Sequence, residues 1–581
     1  MRGSAASGAA SRVWLPVLGL WGLCGPGGSL AGPTRHRPAG AGYASVTAEG
    51  PVSVGSSHSA DTTGTSSVPR AGRSDIEAVP IARVVFETRG IFDPPPPGRL
   101  RPFYRLADRL HVRTRASTVR RYLLLVPGDR WDEARARESE RALRALDIFD
   151  LASVDALRER DSAVVVVRTR DAWTTSPEFS LERGGGRTFG SIQFSERNLF
   201  GRAQYISLGY REEPAGISRS VEIADPSVAG SRVRAIAGVR NGSSGTFDFF
   251  ALERPFFAED TRSAFGIRAE RARAQARLYA SGLEAATFYR RNQWVELYAG
   301  IGRRHGRTIT RVTGALLAWD RRLGGSVLAP GAPPEFAGGD EESRVRRFTI
   351  EGRLWRPGFV ERTLVDGLDG VEDIDLGRSV SVAGGYSPRA FGGKADEGFA
   401  AIRLGLGADG GGAGFGWMRA STASRLAGGL REATVRLDAR WVNQSVPRHT
   451  LVVAALGIGG YRTARDVQFI VGGLNGLRAH DVHALAGDRL WRLNAESRWL
   501  LGRELLQLVS LGAAGFWDAA HTSGPGSGGL PWQHDVGVGL RVGLPRSALN
   551  RVARFDVAWR VSPSGPGPRE AVFSFSSSQA F

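Results

Sequence analysis

The sequence is poor in cysteine and lysine and has no long hydrophobic run, and these shortages exclude several classes of protein. Cys24 is the only cysteine, so a scaffold held together by internal disulfides is excluded. No run of about 18 apolar residues follows the N-terminal segment, which argues against a transmembrane helix. Charged residues make up 23% of the chain and apolar residues 42%, which is ordinary for a soluble protein.

The positive charge is carried almost entirely by arginine, with Lys394 a rare lysine. A formal net charge of +19 is typical of proteins that bind nucleic acid or an anionic membrane surface. The arginines are spread evenly, however, and do not cluster with aromatic residues on one face. The pattern therefore favours a GC-rich coding sequence over a nucleic-acid partner, and it leaves open an attraction to anionic lipid such as lipopolysaccharide.

Residues 1–31 have the pattern of a secretory signal peptide. A basic start is followed by an apolar core at residues 13–23 and by small residues at 29–31 that form a cleavage site. A lipoprotein signal at Cys24 is a weaker alternative, because Leu23 is large for the residue before a lipidated cysteine. A disordered N-terminus rich in glycine and alanine is another. We predict export, which would remove Cys24 from the mature chain.

Residues 32–74 and 75–170 differ in composition. The first segment is rich in Gly, Ser, Thr, Ala and Pro without apolar periodicity, which predicts a disordered linker. The second segment has a globular composition. Helical spacing of its apolar residues is clearest at residues 132–146. The pattern of residues 119–126 fits either a helix or a strand. The other predicted elements are a helix at 103–110 and strands at 81–87, 148–154 and 163–167. Together they predict a small α+β domain of order β-α-α-β-β.

The C-terminal part, residues 171–581, has the pattern of strands and no convincing helix. Strands of about 8 to 12 residues alternate with polar, glycine-rich turns. Within Leu490–Leu500, Trp491 lies on the apolar face, whereas Glu496 and Arg498 lie on the polar face. A soluble sandwich would bury the apolar face. A membrane barrel instead turns that face toward lipid and its charges toward the lumen.

Three features favour the membrane barrel: the export signal, tryptophans at strand ends, and an aromatic C-terminus. Phe573, Phe575 and Phe581 fall on one face of the last extended segment. Closure would also remove the exposed edges of so large an antiparallel sheet. We predict an all-β, antiparallel transmembrane barrel of about 16 strands, with up to about 20 candidates. Its outward-facing loops are predicted at about 270–290, 322–343, 356–377 and 518–533.

Two groups of short motifs stand out within residues 81–581. In the small domain they are Val119–Arg121, Gly128–Asp129 and Glu138–Leu146. In the barrel they are Ser195–Gly201, Arg202–Gln204, Glu253–Phe257 and Gly472–His480. Together they resemble the outer-membrane protein assembly superfamily of the BamA/TamA type, in which polypeptide-transport-associated (POTRA) domains precede a bacterial surface antigen barrel. The resemblance implies one periplasmic POTRA-like domain ahead of an outer-membrane barrel.

Gly472–His480 is similar to the family's long loop that folds back into the barrel lumen. The residues that match its central element are Gly476, Leu477, Arg478 and His480. The resemblance implies that Arg478 pairs with an acid on the inner wall, in a bidentate contact that locks the loop. Gly512 occupies the place of the family's usual acidic residue. The candidate partners are therefore Glu496, Asp518 and Asp556.

No motif of catalysis or cofactor binding stands out. Gly405–Gly410 has the Gly-x-Gly-x-x-Gly spelling, but no helix follows it to bind phosphate. His480 and His483 are close enough in sequence to share a metal ion, yet no third ligand is evident. We therefore predict that the chain is not an enzyme and that it has no cofactor or metal site.

The resemblance implies an outer-membrane protein that inserts or translocates polypeptides. Its partners would be unfolded outer-membrane or secreted polypeptides and the lipid bilayer. The first and last strands, at about 177–184 and 571–581, would form a weak seam that opens laterally. A dedicated two-partner-type secretion pore or a passive outer-membrane channel is the alternative, and a barrel used as an enzyme or adhesin is the third. A single POTRA-like domain would leave little surface for docking accessory partners.

Overall fold

The computed structural model describes most of the chain beyond the N-terminal region. The described residues are 54–57, 76–184, 187–213, 216–410, 414–473, 475–548, 552–565 and 569–576. The predicted signal peptide, Phe581 and all of the predicted linker except strand β1 (Val54–Ser57) lie outside them. No helix among these residues is long and apolar enough to cross a bilayer.

The N-terminal domain contains a three-stranded sheet and three helices. Its elements are β2 (Ile81–Arg89), α1 (Arg101–Leu110), α2 (Ala116–Tyr122), α3 (Glu133–Arg144), β3 (Phe149–Glu159) and β4 (Ser162–Asp171). β4 lies in the centre, parallel to β2 and antiparallel to β3. Val119, Leu125, Leu143 and Val165 are fully buried in its core. The predicted order β-α-α-β-β therefore has one helix too few. The pattern of residues 119–126 fitted either a helix or a strand, and the first half of this segment belongs to α2.

The helix α3 follows from local sequence signals and sits within the predicted range 132–146. Asp132 precedes it, and its carboxylate accepts a hydrogen bond from the amide of Arg135 at 3.1 Å, which satisfies a free helix donor. Glu133 lies in the first turn and Arg144 in the last turn, so both charges complement the helix dipole. Leu143 faces the core of the domain, and the charged face is left for other contacts.

The rest of the described chain is dominated by one closed antiparallel sheet. Its long strands are β5 (Thr175–Gly184), β6 (Arg187–Leu199), β7 (Gln204–Glu213), β8 (Gly216–Asp225), β9 (Arg234–Gly242), β10 (Gly245–Arg254), β11 (Ser263–Ala280), β12 (Leu283–His305), β13 (Thr308–Leu323), β15 (Glu341–Arg356), β18 (Arg378–Ser387), β19 (Glu397–Asp409), β20 (Gly414–Leu426), β21 (Leu430–Asn443), β22 (His449–Tyr461), β25 (Arg489–Leu505), β26 (Val509–Ser523), β27 (Gln533–Gly543), β28 (Val552–Arg560) and β29 (Val572–Ser576). The two-residue β14 (Val327–Leu328) extends it beside β12. The predicted antiparallel barrel is confirmed.

The barrel has about 20 strands among the described residues, so the predicted count of 16 was too low. Short connections explain the difference. β9 and β10 are separated by residues 243–244, and β12 and β13 by residues 306–307. Such turns contain too few polar residues to mark a strand boundary in the sequence. The predicted loop at 270–290 lies largely within β11 and β12 for the same reason.

The wall of the barrel is apolar outside and charged inside. On β25, Trp491 and Trp499 are exposed, whereas Glu496 and Arg498 are buried, which confirms the predicted alternation. Val538 on β27 follows the outward pattern. A closed sheet with this inverted polarity fits a bilayer, because closure satisfies the backbone and the outer face is apolar.

The two ends of the barrel are named by their position relative to the N-terminal domain. The end where β5 begins carries that domain and is called proximal; the opposite end is called distal.

Among the described residues, two small sheets involve the connections between barrel strands. One contains β1, β16 (Phe359–Arg362) and β17 (Val371–Asp375), and the other contains β23 (Phe469–Val471) and β24 (Leu485–Gly487). Within the part of the chain that the structure describes, 3-10 turns occupy Val228–Gly230, Pro334–Phe336 and Arg389–Phe391.

β29 and β5 close the barrel through a short contact. Within the described residues two positions are paired, Ser574 with Glu182 and Phe575 with Leu181. The adjacent strands β5 and β6 are in register over ten positions. Among these residues the closing pair therefore has fewer paired positions than its neighbour.

Candidate functional site

A connection at the distal end, residues 462–488, folds back into the barrel and is called the distal loop. On one side Asp466 accepts a hydrogen bond from Arg290 on β12 at 3.1 Å. On the other side the amide of Ala479 donates to Asp535 on β27 at 2.7 Å. These strands lie on opposite sides of the closed sheet, so the distal loop crosses the lumen.

Arg478 lies at the point where the distal loop meets the wall. Its Nε and Nη2 donate to the two carboxylate oxygens of Asp518 at 2.7 and 2.8 Å, and Nη1 donates to Glu496 at 2.9 Å and Asp556 at 3.2 Å. The guanidinium also lies 3.3 Å from the centre of the Phe516 ring. All three predicted candidate partners thus contact Arg478 in the structure.

Arg478 is fully buried, and its charge is stabilised by its neighbours. Burial alone would lower the pKa of Arg478, but the carboxylates of Asp518, Glu496 and Asp556 outweigh burial and raise it above the ordinary value. The fork of two parallel bonds to Asp518 also fixes the orientation of the guanidinium. A lysine could not reproduce that geometry, because its ammonium is a point donor.

Glycines allow the distal loop to approach the wall closely. Gly476 has φ +115°, and a Cβ there would lie 2.2 Å from Cδ of Arg492. Gly472 has φ +149°, and a Cβ there would lie 2.1 Å from the carbonyl oxygen of Asp481. A side chain at either position would displace the loop. Leu477 is buried in an apolar cluster of the loop and wall, so it holds the segment that presents Arg478.

The two histidines of the distal loop have different surroundings. His480 Nδ1 lies 2.9 Å from Asp535, and its Nε2 lies 3.3 Å from the amide oxygen of Gln533. His483 stacks on Tyr279 with ring centres 4.4 Å apart. Burial lowers the pKa of His483 to about 4, so this ring is neutral at ordinary pH. His480 thus adds a polar contact beside Arg478, whereas His483 packs against β11.

Three further arginines complete a buried network that the motifs did not identify. Arg541 donates to Asp556 at 2.6 Å and to Glu496 at 3.1 Å. Arg498 donates to Glu496 at 3.0 Å, and Arg554 lies 3.1 Å from Asp556. These three arginines, together with Arg478, Glu496, Asp518 and Asp556, are called the lumenal cluster. The period-two pattern of β25, β27 and β28 could have indicated which arginines face the lumen, but not which carboxylates they meet.

Residues 357–377 form a second segment in the lumen, the proximal insertion. The sequence predicted an outward-facing loop here, and that prediction was wrong, because the connection from β15 to β18 lies at the proximal end. The carbonyl of Val365 accepts from Arg498, and Asp366 accepts from Arg440 at 2.6 Å. Asp369 accepts from Ser510 at 2.8 Å. The acidic side chains of this insertion match arginines that line the wall.

Arg498 contacts both segments that enter the lumen. Its Nε binds Glu496, which also binds Arg478 of the distal loop. Its Nη1 binds the carbonyl of Val365 in the proximal insertion. The turn around Val365 is braced by Glu372, whose carboxylate accepts the amides of residues 365–367 at 2.9–3.1 Å. The two segments therefore meet through one buried side chain.

The proximal insertion also contacts the N-terminal domain through α3. Arg144 donates to Asp373 at 2.6 Å through Nε and to Glu361 at 3.0 Å through Nη2. Arg141 lies 4.3 Å from the centre of the Phe359 ring. A continuous set of contacts thus runs from α3, through the insertion and Arg498, to the lumenal cluster.

This arrangement is suited to holding chain segments in place. Each carboxylate of the lumenal cluster is already bound to a guanidinium, so none is free to act as a general base. Moving Arg478 away would leave Asp518 buried without its bidentate partner, which is costly. The geometry therefore describes a lumen occupied from both ends and held by ion pairs.

The predicted C-terminal residues are only partly described. Phe573 on β29 is exposed on the outer face of the barrel. Phe575 pairs in register with Phe555, and their rings lie 4.7 Å apart. These two side chains are placed on the apolar outer wall beside the closing contact.

The solved structures to which the chain is similar include BamA and two CdiB proteins. BamA from Haemophilus ducreyi lacking POTRA domains 1–3 is 11% identical, with 86% of this chain and 84% of that chain covered and a TM-score of 0.37. CdiB from Acinetobacter baumannii is 11% identical, with 86% and 73% covered and a TM-score of 0.42. CdiB from Escherichia coli is 11% identical, with 85% and 75% covered and a TM-score of 0.42. No family model and no curated protein matches the sequence.

The structural neighbours thus include BamA, the type of protein that the sequence motifs resemble. The features of this chain that bear on its function are the apolar exterior of the barrel, the closing contact, the lumenal cluster and the N-terminal domain.

Proposed function

We propose that this protein is an outer-membrane factor that inserts or translocates polypeptides, of the BamA/TamA type. The observation that carries the proposal is a barrel with apolar outer walls whose closing strands are paired at two described positions. Among the described residues this contact has fewer paired positions than the neighbouring pair β5–β6, and a contact with few hydrogen bonds opens at lower cost. Residues 1–31 would direct export, and the N-terminal domain would lie in the periplasm.

The N-terminal domain would receive the unfolded client. β2 and β3 are the outer strands of its sheet, and outer strands can pair with an extended segment by β-augmentation. We assign this α+β domain as POTRA-like. From beneath the proximal end, the domain would meet a client before the closing strands do.

The lumenal cluster would keep the barrel in register while the closing contact opens. Arg478 ties the distal loop to β25, β26 and β28, the strands that lead to β29. This wall would stay intact, and opening would be confined to the contact between β29 and β5. Phe573 and Phe575 would present the outer face of the last strand to lipid.

The test is a disulfide across the closing contact. The mature chain would contain no cysteine, so Leu181→Cys with Phe575→Cys places a single pair at positions that face each other across the strands. The oxidised protein should lose its ability to insert an unfolded eight-stranded outer-membrane barrel into liposomes. Activity should return after reduction, because the fold itself is unchanged.

The matched control places the same bridge inside the wall. Leu316→Cys with Phe348→Cys joins paired positions of β13 and β15, where no opening is proposed. Its oxidation should leave insertion unchanged. Full activity of the oxidised double variant Leu181→Cys with Phe575→Cys would refute lateral opening as the mechanism.

A dedicated secretion pore is the second candidate, favoured by one observation. The described residues contain one α+β domain ahead of the barrel, which offers little surface for several accessory proteins. Depletion in the native bacterium separates the two functions. Loss of many outer-membrane barrels supports the insertion factor, whereas loss of one exported product supports the dedicated pore.

A further inference from the structure

The helix α1 (Arg101–Leu110) has an apolar face that nothing in the described structure covers. Phe103, Leu106 and Leu110 are exposed by 54%, 53% and 68%. Their spacing of three and four residues places them on one stripe of the helix. A stripe of three large apolar side chains open to water is unusual on a soluble domain, so its surroundings need explanation.

A neighbouring side of α1 is fixed to the proximal rim of the barrel. Tyr104 donates its hydroxyl proton to the carbonyl of Leu506 at 2.8 Å, in the turn between β25 and β26. Tyr104 and Ala107 are buried in a cluster with Phe92, against which Leu508 packs. The helix is therefore held at the level of a turn that directly follows membrane-facing strands.

The surroundings of the rim are apolar and basic. Leu501, Leu505 and Leu506 at the proximal end of β25 are exposed, as is the stripe of α1. Arg101, Arg105 and Arg109 are also exposed and lie away from the stripe. An exposed apolar stripe beside arginines is the pattern of helices that lie in the interface of a membrane with anionic lipid.

We propose that α1 is an interfacial helix that inserts Phe103, Leu106 and Leu110 into the phospholipid leaflet around the proximal end of the barrel. The arginines on the other face of the helix would bind lipid phosphate groups. This inference rests on the barrel spanning a membrane, and it goes beyond the proposed insertion activity. It gives the N-terminal domain a fixed depth relative to the bilayer, close to the barrel rim.

Spin labels on the full chain test this placement. In a Cys24→Ser background, single variants Leu106→Cys and Leu110→Cys put a nitroxide on the stripe, and Arg105→Cys puts one on the basic face of the same helix. Leu316→Cys on the outer wall is the lipid reference, and the exposed Leu157→Cys on β3 is the water reference. The protein is reconstituted in nanodiscs of phosphatidylethanolamine and phosphatidylglycerol.

The readout is the collision rate of each nitroxide with oxygen and with a water-soluble nickel complex. Labels at 106 and 110 should favour oxygen over nickel by a factor between those of the labels at 316 and 157, because oxygen partitions into the acyl region and the helix lies at its edge. Labels at 105 and 157 should favour nickel. Values at 106 and 110 that match those at 157 would overturn the proposal. Shielding of both labels from both reagents would also overturn it, since protein and not lipid would then cover the stripe.

Discussion

The lumenal cluster and the contact between α3 and the barrel are both built from arginine and carboxylate side chains. They differ in how far the arginines neutralise the carboxylates. In the cluster, four arginines meet three carboxylates, and Asp518 is held bidentately by Arg478. At the α3 contact, Arg144 has a similar bidentate partner in Asp373. Elsewhere on α3, however, the buried carboxylate of Glu138 accepts a hydrogen bond from the Glu259 amide at 2.6 Å and faces the Glu259 carboxylate, which is paired with Arg141 at 3.0 Å.

Because of this difference, the charges of the lumenal cluster stay the same over a wide range of pH, whereas a charge at the α3 contact changes. A buried network in which every carboxylate has a guanidinium keeps its charges over a wide range of pH. A buried acid next to another acid changes its charge near neutrality. We infer that the cluster holds the barrel wall in one register, whereas the α3 contact can loosen as pH rises through neutrality.

The largest effect is expected for Arg478→Met, which removes the charge from the cluster and keeps an apolar chain. Glu496, Asp518 and Asp556 would be left buried with fewer partners, so the free energy of unfolding should fall by about 3–5 kcal/mol. Urea unfolding in micelles, followed by the loss of heat-resistant migration on gels, measures it. Arg271→Met is the matched control, because its pair with Asp248 is exposed and should contribute less than about 1 kcal/mol. Equal effects of the two substitutions would show that Arg478 is not a lock.

A smaller effect is expected for Arg144→Met at the α3 contact. Loss of the charged hydrogen bonds to Asp373 should weaken docking of the proximal insertion by about 2 kcal/mol. Faster hydrogen exchange over residues 359–375 would report it, with the lumenal strands unchanged. Adding Asp373→Asn should restore part of the protection, because the unpaired carboxylate is then gone; an additive loss would contradict the pairing.

The smallest effect is expected for Glu138→Gln, which should remove the pH dependence of the stability of the α3 contact. Burial, together with the carboxylate of Glu259, raises the pKa of Glu138 from its ordinary value to about 7. A raised carboxyl pKa stabilises the contact fully below about pH 4.5, and this contribution is lost as pH rises through about 7. The protection factors of residues 255–262, which remove the intrinsic pH dependence of hydrogen exchange, should therefore show a step down across pH 7 in the native chain. The glutamine variant should show no such step, and an unchanged step would place the titration elsewhere.

Sequence patterns predicted the strands of the barrel wall more accurately than the segments that lie in the lumen. Alternation alone placed Trp491 outside and Glu496 and Arg498 inside, because strand side chains alternate faces. The count of strands was less accurate, since two-residue turns leave no polar segment. The proximal insertion was misplaced, because nothing local tells whether a polar connection turns outward or into the lumen.

The sequence by itself determined a closed antiparallel sheet with an apolar exterior and a charged interior, and it indicated Arg478 as the key side chain of a loop. Those properties depend on period-two patterning and on short motifs, which are local. Only the tertiary structure decided that Asp518 is the bidentate partner, that Arg498 joins two segments and that the α1 stripe is left open at the rim. These contacts join residues far apart in the chain, and closure of the sheet alone brings them together.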